Sequence, residues 1–332
     1  VQNISILFQD LLHEFIIFLR LEGLLAIIHD GNWRAFKTID GIFTVLMPLA
    51  PLIIVIEVVL LLFTHQFNKK FYKIPFLIII IIINRILEKT LKLSITLFFI
   101  TLFKNYALFD ISFKWYFVPL GYLIYELNSF IRHYAAHKIR LLWCSHAVHH
   151  SATEITSSVT LTTAYLENIY TDIFAASFCT LMGLTPSLFF FVMILDSIWG
   201  AFVHISEKTL KNGRLGFLEK LILTPSHHRV HHASNDLYMD TNFCSVINIW
   251  DRVFGTYQEE KVYEPVKYGI TRPMNAHNFW DVYFGEYVAL WHDVKNARGI
   301  NKIKYIFMPP GWHPNGEQQT AKILRQKAMN RE

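Results

Sequence analysis

Long apolar runs dominate the first two thirds of this chain. FTVLMPLAPLIIVIEVVLLLF, residues 43–63, carries one charge in 21 residues, and as a helix it is long enough to cross roughly 30 Å of hydrocarbon. After a short basic loop, PFLIIIIIIN is too short to span alone, and the following RILEKTLKLSITLFFITLF either completes a hairpin or lies in the interface. FKWYFVPLGYLIYELNSFI, 113–131, predicts a further span with aromatics near one end, as interfacial belts prefer. From 164 to 203 two apolar stretches of about 19 and 16 residues flank a Gly-Leu-Thr-Pro-Ser break at 183–187, which predicts a helical hairpin. A hairpin returns the chain to the face it left. The N-terminal VQNISILFQDLLHEFIIFLRLEGLLAII is interrupted by Asp10, Glu14, Arg20 and Glu22, a pattern expected of an interfacial amphipathic segment rather than a cleaved signal. Beyond 233 the hydrophobicity drops, and Pro265, Pro273 and PPGWHPNG at 309–316 mark turns in a tail expected to pack on the polar face.

Composition agrees with membrane insertion. Charged residues make up 17% of the 332 and hydrophobic ones 53%, whereas a soluble chain carries about a quarter charged residues. The net charge of +5 comes without a Lys/Arg run interleaved with aromatics, so nucleic acid is not an expected partner; an anionic membrane surface is. Arg132, Lys138, Arg140, Lys208, Lys211, Arg214, Lys220 and Arg229 gather on one side of the expected spans, which the positive-inside rule assigns to the cytoplasm. Cys144, Cys179 and Cys244 are few and scattered, suggesting neither a disulfide framework nor a Cys-based zinc site.

The histidines change the picture. RHYAAHKIRLLWCSHAVHHS, 132–151, holds five of the chain's 16, and SHHRVHH follows at 226–232. His133 and His137 are spaced i, i+4; His146, His149 and His150 are spaced i, i+3, i+4, and His228, His231 and His232 repeat that spacing. On a helix each set shares one face. A lone histidine near lipid is usually a packing or helix-end residue, as expected for His13, His29, His65, His277, His292 and His313. Burying whole clusters without partners would cost roughly 1–3 kcal/mol per ring. Neutral imidazole binds iron, zinc, copper or nickel, and eight clustered rings exceed what one ion uses. His204, at the end of the apolar hairpin, makes a ninth; His227 adjoins the third cluster as a ligand or a donor to one. A structural zinc uses four ligands and a catalytic one about three, whereas a pair of irons binds O2, accepts electrons and attacks unactivated C–H bonds in an apolar substrate. The expectation is two iron ions, with zinc an alternative in purified protein. The fold class expected is all-α: an integral membrane helical bundle with a cytosolic histidine-rich helical cap holding a dimetal site. Its parts are an interfacial segment at 1–42, a catalytic domain at 43–262 and a packed tail at 263–332.

HYAAH, HAVHH and HRVHH, in that order with an apolar hairpin between the last two, resemble the eight-histidine signature of the fatty acid hydroxylase superfamily, also called the sterol desaturase family. LTPSHHRVHHASNDLYMDTNFCSVINIWDRVFGTYQEE at 223–260, YGITRPMN at 268–275 and the later PPGW resemble its alkylglycerol monooxygenase branch. The resemblance spans about 50 to 315. It implies a membrane-bound di-iron monooxygenase that hydroxylates the carbon next to a glycerol ether oxygen, so that the product falls apart into a fatty aldehyde and a glycerol derivative. It also implies an external electron donor, tetrahydrobiopterin in the animal enzymes. Relatives hydroxylate acyl chains or polar lipids or desaturate sterols, and an inactive metal-binding membrane protein is a further alternative. By the same resemblance His133, His137, His146, His149, His150, His204, His228, His231 and His232 hold the metals, with His227 beside them. Asn235 and Asp240 follow the third box as catalytic polar residues that orient ring N–H groups or hold a metal-bound water. Trp250, Asp251 and Phe254 lock the cap, and Glu167 and Asp196 are ionisable groups in an apolar hairpin, each implying a partner. Tyr134, Lys138, Thr156, Thr162 and Glu126 depart from residues common at those positions.

Overall fold

The computed structural model describes residues 2–64, 93–316 and 318–330. The PFLIIIIIIN run, the first part of the stretch after it and His65 lie outside the described residues. Among those described the protein is all-helical, with isolated β-bridges and no strand. The helices are α1 (Gln2–Phe18), α2 (Glu22–His29), α3 (Ile39–Leu46), α4 (Leu49–Phe63), α5 (Leu93–Phe103), α6 (Val118–Lys138), α7 (Arg140–His150), α8 (Tyr165–Leu181), α9 (Pro186–Val203), α10 (Pro225–His231), α11 (Ile249–Val253), α12 (Phe279–Asn296), α13 (Asn301–Phe307) and α14 (Ala321–Met329).

Two of these are long and apolar enough to cross a membrane: α3–α4 taken together (Ile39–Phe63, 25 residues, mean hydropathy 2.8) and α9 (18 residues, mean hydropathy 1.8). The expected span at 113–131 is helical as α6, but that helix runs on to Lys138 and carries Glu126, Asn128, Ser129, Arg132, His133, His137 and Lys138. Helix α8 has 17 residues and includes Glu167 and Asp172. Both serve the site as well as the apolar core, which is why their composition is mixed.

Helices α5, α6, α8 and α9 pack around Tyr122, Tyr125, Ala176, Leu188, Phe189 and Val192. Gly121 lets α6 approach α9 closely, since a Cβ there would sit 2.9 Å from Leu188 Cδ2; small residues are what permit such contacts between apolar helices. The α8–α9 hairpin turns at Gly183, whose φ of +96° suits glycine. A Cβ there would lie 2.1 Å from the Phe109 carbonyl oxygen, and the 108–111 segment lines the turn through Leu108 N to Leu181 O (2.7 Å) and Ile111 N to Gly183 O (2.8 Å). The hairpin thus leads away from the histidines and back to them.

Glu57 of α4 is 2% exposed and accepts hydrogen bonds from Ser157 N (2.6 Å), from Ser157 Oγ and from Ser206 N (2.6 Å). One carboxylate therefore ties the segments after α7 and after α9 together, just beyond His150 and His204. Glu126 of α6 does the same for the loop after the third histidine box, accepting from Ser245 N (2.5 Å) and Val246 N (3.1 Å).

Candidate metal centre

The nine histidines of the three boxes and the hairpin end form two groups. His133, His137, His146, His150 and His231 make one; His149, His204, His228 and His232 make the other, and within each group one ring nitrogen per residue lies within 4.8 Å of all the rest. Helix geometry explains the division. Residues i and i+4 are only about 40° apart around a helix, whereas i+3 falls about 60° to the other side. In α7 the pair His146 and His150 joins the five-histidine group and His149 crosses to the other. Around α10 the assignment is reversed: His228 and His232 share the four-histidine group while His231 crosses over. His133 and His137 supply an i, i+4 pair from α6, and the hairpin supplies His204 alone. The second and third boxes therefore each contribute to both groups, and the first to one.

Hydrogen bonding fixes which nitrogen faces inward. The Nδ1–H groups of His133, His204 and His231 donate to the carbonyls of Phe243 (2.8 Å), Gly200 (2.6 Å) and Thr241 (2.8 Å). Those of His137 and His146 donate to Asp240 Oδ1 (3.1 Å) and Glu167 Oε1 (2.6 Å). In a neutral ring the remaining Nε2 is then a bare acceptor. His133 and His146 Nε2 nevertheless face each other at 3.1 Å, where no proton can lie between them. His204 Nε2 meets Nε2 of His149 (3.2 Å), His228 (2.8 Å) and His232 (3.2 Å), but its single lone pair can accept from one at most. Nε2 of His137 and His231 is buried with no hydrogen-bond partner among the described residues. Imidazole nitrogens bound at about 2.0–2.1 Å to one ion stand roughly 3.0–3.4 Å apart, and these spacings match. The donor set fits a metal ion in each group, and an all-imidazole set suits first-row metals. The three cysteines are buried free thiols outside both groups.

Burial, reinforced by neighbouring rings, holds His133, His146, His149, His150, His228, His231 and His232 well below the ordinary histidine range. Burial brings His204 down to about 4. These rings are neutral at pH 7, the form that binds metal. Burial alone would raise the Asp240 carboxyl, but its bonds to His137 and Lys138 outweigh it and hold the group below its usual value. Asp240 and Asn242 both have left-handed φ, +56° and +55°, so the loop after the third box is bent to deliver this carboxylate.

His227 stands outside both groups. Its Nδ1 closes a capping box with Thr224, whose Oγ1 lies at 2.9 Å, and its Nε2 is bonded to Tyr257 Oη at 2.8 Å. Both nitrogens are engaged in holding α10, which gives the ring a structural place rather than a metal-facing one. Asn235 also lies elsewhere: its amide donates to Glu264 and to the Pro265 carbonyl (3.0 Å), and its Oδ1 accepts from Lys267 N (2.7 Å). It anchors the 264–267 segment and orients no ring. Glu167 meets His146, and Asp196 accepts from Tyr122 Oη at 3.2 Å. Asp251 accepts from Phe243 N and Cys244 N, both at 2.8 Å, which positions the Phe243 carbonyl that His133 uses. Phe254 stacks on Phe130 with ring centres 5.0 Å apart, and Trp250 packs in the same cluster. Glu57 was not singled out by its sequence, although a lone ionisable residue in an apolar run is the signal for such a role.

A cavity of about 420 Å³ reaches the five-histidine group, with His137, His150 and His231 in its wall beside Trp143, Asp240 and Arg272. No member of the four-histidine group lines it.

Comparison with known proteins bears on this arrangement. Residues 118–256 match the fatty acid hydroxylase family model, a segment that contains all three boxes and His204. The chain is similar to alkylglycerol monooxygenase of Danio rerio (33% identity over 206 residues, 62% of this chain and 44% of that protein). It is also similar to that of Homo sapiens (33% over 221 residues, 65% and 47%) and to an ornithine lipid hydroxylase of Rhizobium tropici (26% over 154 residues, 46% and 45%). The chain spans somewhat less than half the length of the curated relatives it matches. No solved structure matches. The resemblance read from the histidine boxes therefore holds, and residues 118–256 form a domain of the fatty acid hydroxylase family.

Proposed function

We propose that this protein is a membrane-bound, non-haem di-iron monooxygenase that hydroxylates the alkyl chain of a lipid, with an O-alkylglycerol ether as the first candidate substrate. The observation that carries the reading is the set of inward Nε2 atoms: in both groups some face one another at 2.8–3.2 Å, and those of His137 and His231 are buried without a partner among the described residues, a placement that two cations relieve. His133, His137, His146, His150 and His231 would hold one iron and His149, His204, His228 and His232 the other. When bound, the irons supply the O2 chemistry that C–H hydroxylation needs.

The chain's own residues do the rest. Glu167 and Asp240 keep Nδ1 of His146 and His137 protonated and the rings aimed inward, as carboxylates behind metal-bound histidines do. Backbone carbonyls do so for His133, His204 and His231. Burial of the rings keeps bulk water from the four-histidine side, while the cavity beside His137, His150 and His231 offers small water-soluble reactants a route to the five-histidine side. O2 and an electron donor would use it, and tetrahydrobiopterin is the donor to test first. Helices α3–α4 and α9 would lie in the bilayer, with the histidine face on the cytoplasmic side, so that an alkyl chain approaches from the lipid.

Lipid extracts from cells making the wild type or His149→Ala under air test this reading. Release of fatty aldehyde by the wild type alone is expected, with ether lipids depleted. One added oxygen on an intact lipid would instead assign hydroxylation without cleavage, in line with the match to a polar-lipid hydroxylase. Bound metal without O2 uptake in the presence of reductant would overturn the enzymatic reading.

A further inference from the structure

Helices α12 and α13 lie beyond the residues that the family model matches, and among the described residues one face of α12 is left exposed. On α12 the buried positions are Val282, Glu286 and Leu290, at i, i+4 and i+8. Trp280, Phe284, Val288 and Trp291 occupy the opposite side, within about 80° of arc at 100° per residue, and are 69%, 39%, 65% and 67% exposed. Ile300, just before α13, and Ile303 and Phe307 on it are also 53–60% exposed. Scattered exposed apolar residues are ordinary, but an aligned stripe with two tryptophans marks an interaction surface.

Charge decides among the occupants. The three acids of this helix pair are all spoken for: Asp281 and Glu286 bind Arg272, and Asp293 binds Arg140. Lys295, Arg298, Lys302 and Lys304 are exposed, so, its ion-paired acids aside, the charge on this helix pair is cationic. That combination fits the headgroup region of an anionic bilayer, where tryptophan rings and lysines both reside. Position agrees. Tyr283 Oη accepts from Tyr165 N at 2.8 Å, which fastens α12 to the first residue of α8, at the end of the apolar hairpin where it meets the histidine face. An element fixed there lies at the level of the membrane boundary.

We propose that α12 and α13 rest in the cytoplasmic headgroup layer, apolar stripe down, and so hold the wall of the cavity against the lipid surface. Glu286 and Ala289 of α12 are part of that wall. The inference rests on the membrane placement proposed above, and the test separates the two.

The three native cysteines are buried, so single cysteines introduced in the full chain can be labelled with a polarity-sensitive fluorophore. The sites are Trp280→Cys, Trp291→Cys, Phe63→Cys on the exposed side of α4 and Val262→Cys, a fully exposed loop position. The protein is reconstituted in phosphatidylserine-containing vesicles with nitroxide lipids at shallow or deep acyl positions. Labels at 280 and 291 should lose at least about half their emission to the shallow nitroxide, as expected of a helix lying in the interface. The label at 63 should respond to the deep one and that at 262 to neither. Labels at 280 and 291 that behave like 262, while 63 is quenched, overturn the proposal and leave the membrane reading intact. An unquenched label at 63 overturns both. Quenching at 291 that is unaffected by omitting phosphatidylserine, or by Lys302→Glu with Lys304→Glu, overturns the electrostatic part. Label self-quenching that grows with protein concentration, without lipid quenching, would give this face to a second copy instead.

Discussion

Replacing Glu167 tests whether the five-histidine group is a metal site organised from behind. Its Oε1 accepts from His146 Nδ1 at 2.6 Å, and the two side chains are only 6% and 5% exposed, so solvent does little to screen the interaction. A hydrogen bond to a charged group contributes about 1.5–3 kcal/mol, and about 1.4 kcal/mol is a factor of ten in affinity. Glu167→Gln keeps an oxygen acceptor and loses only the charge, which points to the lower end, roughly tenfold weaker metal binding. Glu167→Ala removes the acceptor as well and should approach a hundredfold, the upper range for partners behind a metal-bound histidine. Asp196→Asn is the matched control, because it neutralises another buried carboxylate of the hairpin whose partner is Tyr122 rather than a histidine. Metal content by mass spectrometry and affinity by chelator competition, on the solubilised full chain, read the effect without requiring turnover. If Glu167→Gln binds within about two- to threefold of wild type, or no more weakly than Asp196→Asn, the carboxylate does not act through His146 and the reasoning fails.

His227→Ala should retain any bound metal but lose about 1–3 kcal/mol of stability, since it removes a helix cap and the bond to Tyr257; loss of one metal equivalent would put His227 back among the ligands. Glu57→Leu leaves the Ser157 and Ser206 amides without their acceptor and should destabilise the chain by about 2–4 kcal/mol, seen as a lower unfolding temperature in detergent; an unchanged temperature would mean that water replaces the carboxylate. The metal-free chain should lose stability as pH falls below about 6.5, because unfolded histidines then take up protons that the buried rings refuse, down to about 4 at His204. The slope is positive with pH in that window and vanishes above it, so a melting temperature that rises on acidification would contradict the burial of these rings.

The sites where sequence reading succeeded and failed follow from the range of the interactions involved. The spacing of His133/His137, His146/His150 and His228/His232 is local, and the i, i+4 rule alone places each pair on one face. Which pair joins which group depends on three helices meeting, because the second and third boxes share one spacing and still divide between the groups in opposite senses. His227 misled because adjacent rings look alike in a string. The signal that separates it is Thr224, three residues earlier, which makes His227 the reciprocal member of an N-terminal cap. Asn235 misled for the opposite reason: its partners at 264–267 are about thirty residues away, and nothing local announces them. Of the carboxylates behind the rings, Glu167 was legible as a costly charge in need of a partner, and Asp240 through the resemblance of the segment after the third box. The membrane-crossing lengths of α3–α4 and α9 were legible too, whereas α6 combines core packing with site duty and its composition blurs the count.

The departures from the family pattern acquire a physical reading once their neighbours are known. Lys138 forms an ion pair with Asp240, the carboxylate that also holds His137, while Tyr134 stacks on Phe130, meets Phe243 edge-on and lies under the Lys138 ammonium. Thr156 and Thr162 bond locally, to Ser158 Oγ and to the Val159 carbonyl. None of these residues supplies or displaces a ring nitrogen. Lys138 does change one thing: a cation on Asp240 weakens that carboxylate's pull on the His137 proton, relative to Glu167 on His146. In the four-histidine group the fixed ring, His204, leans on a backbone carbonyl instead. The two groups are therefore unequally supported, with the more anionic support beside the cavity that His137, His150 and His231 line. Lys138 is therefore a lever on that difference that leaves the donor atoms themselves untouched.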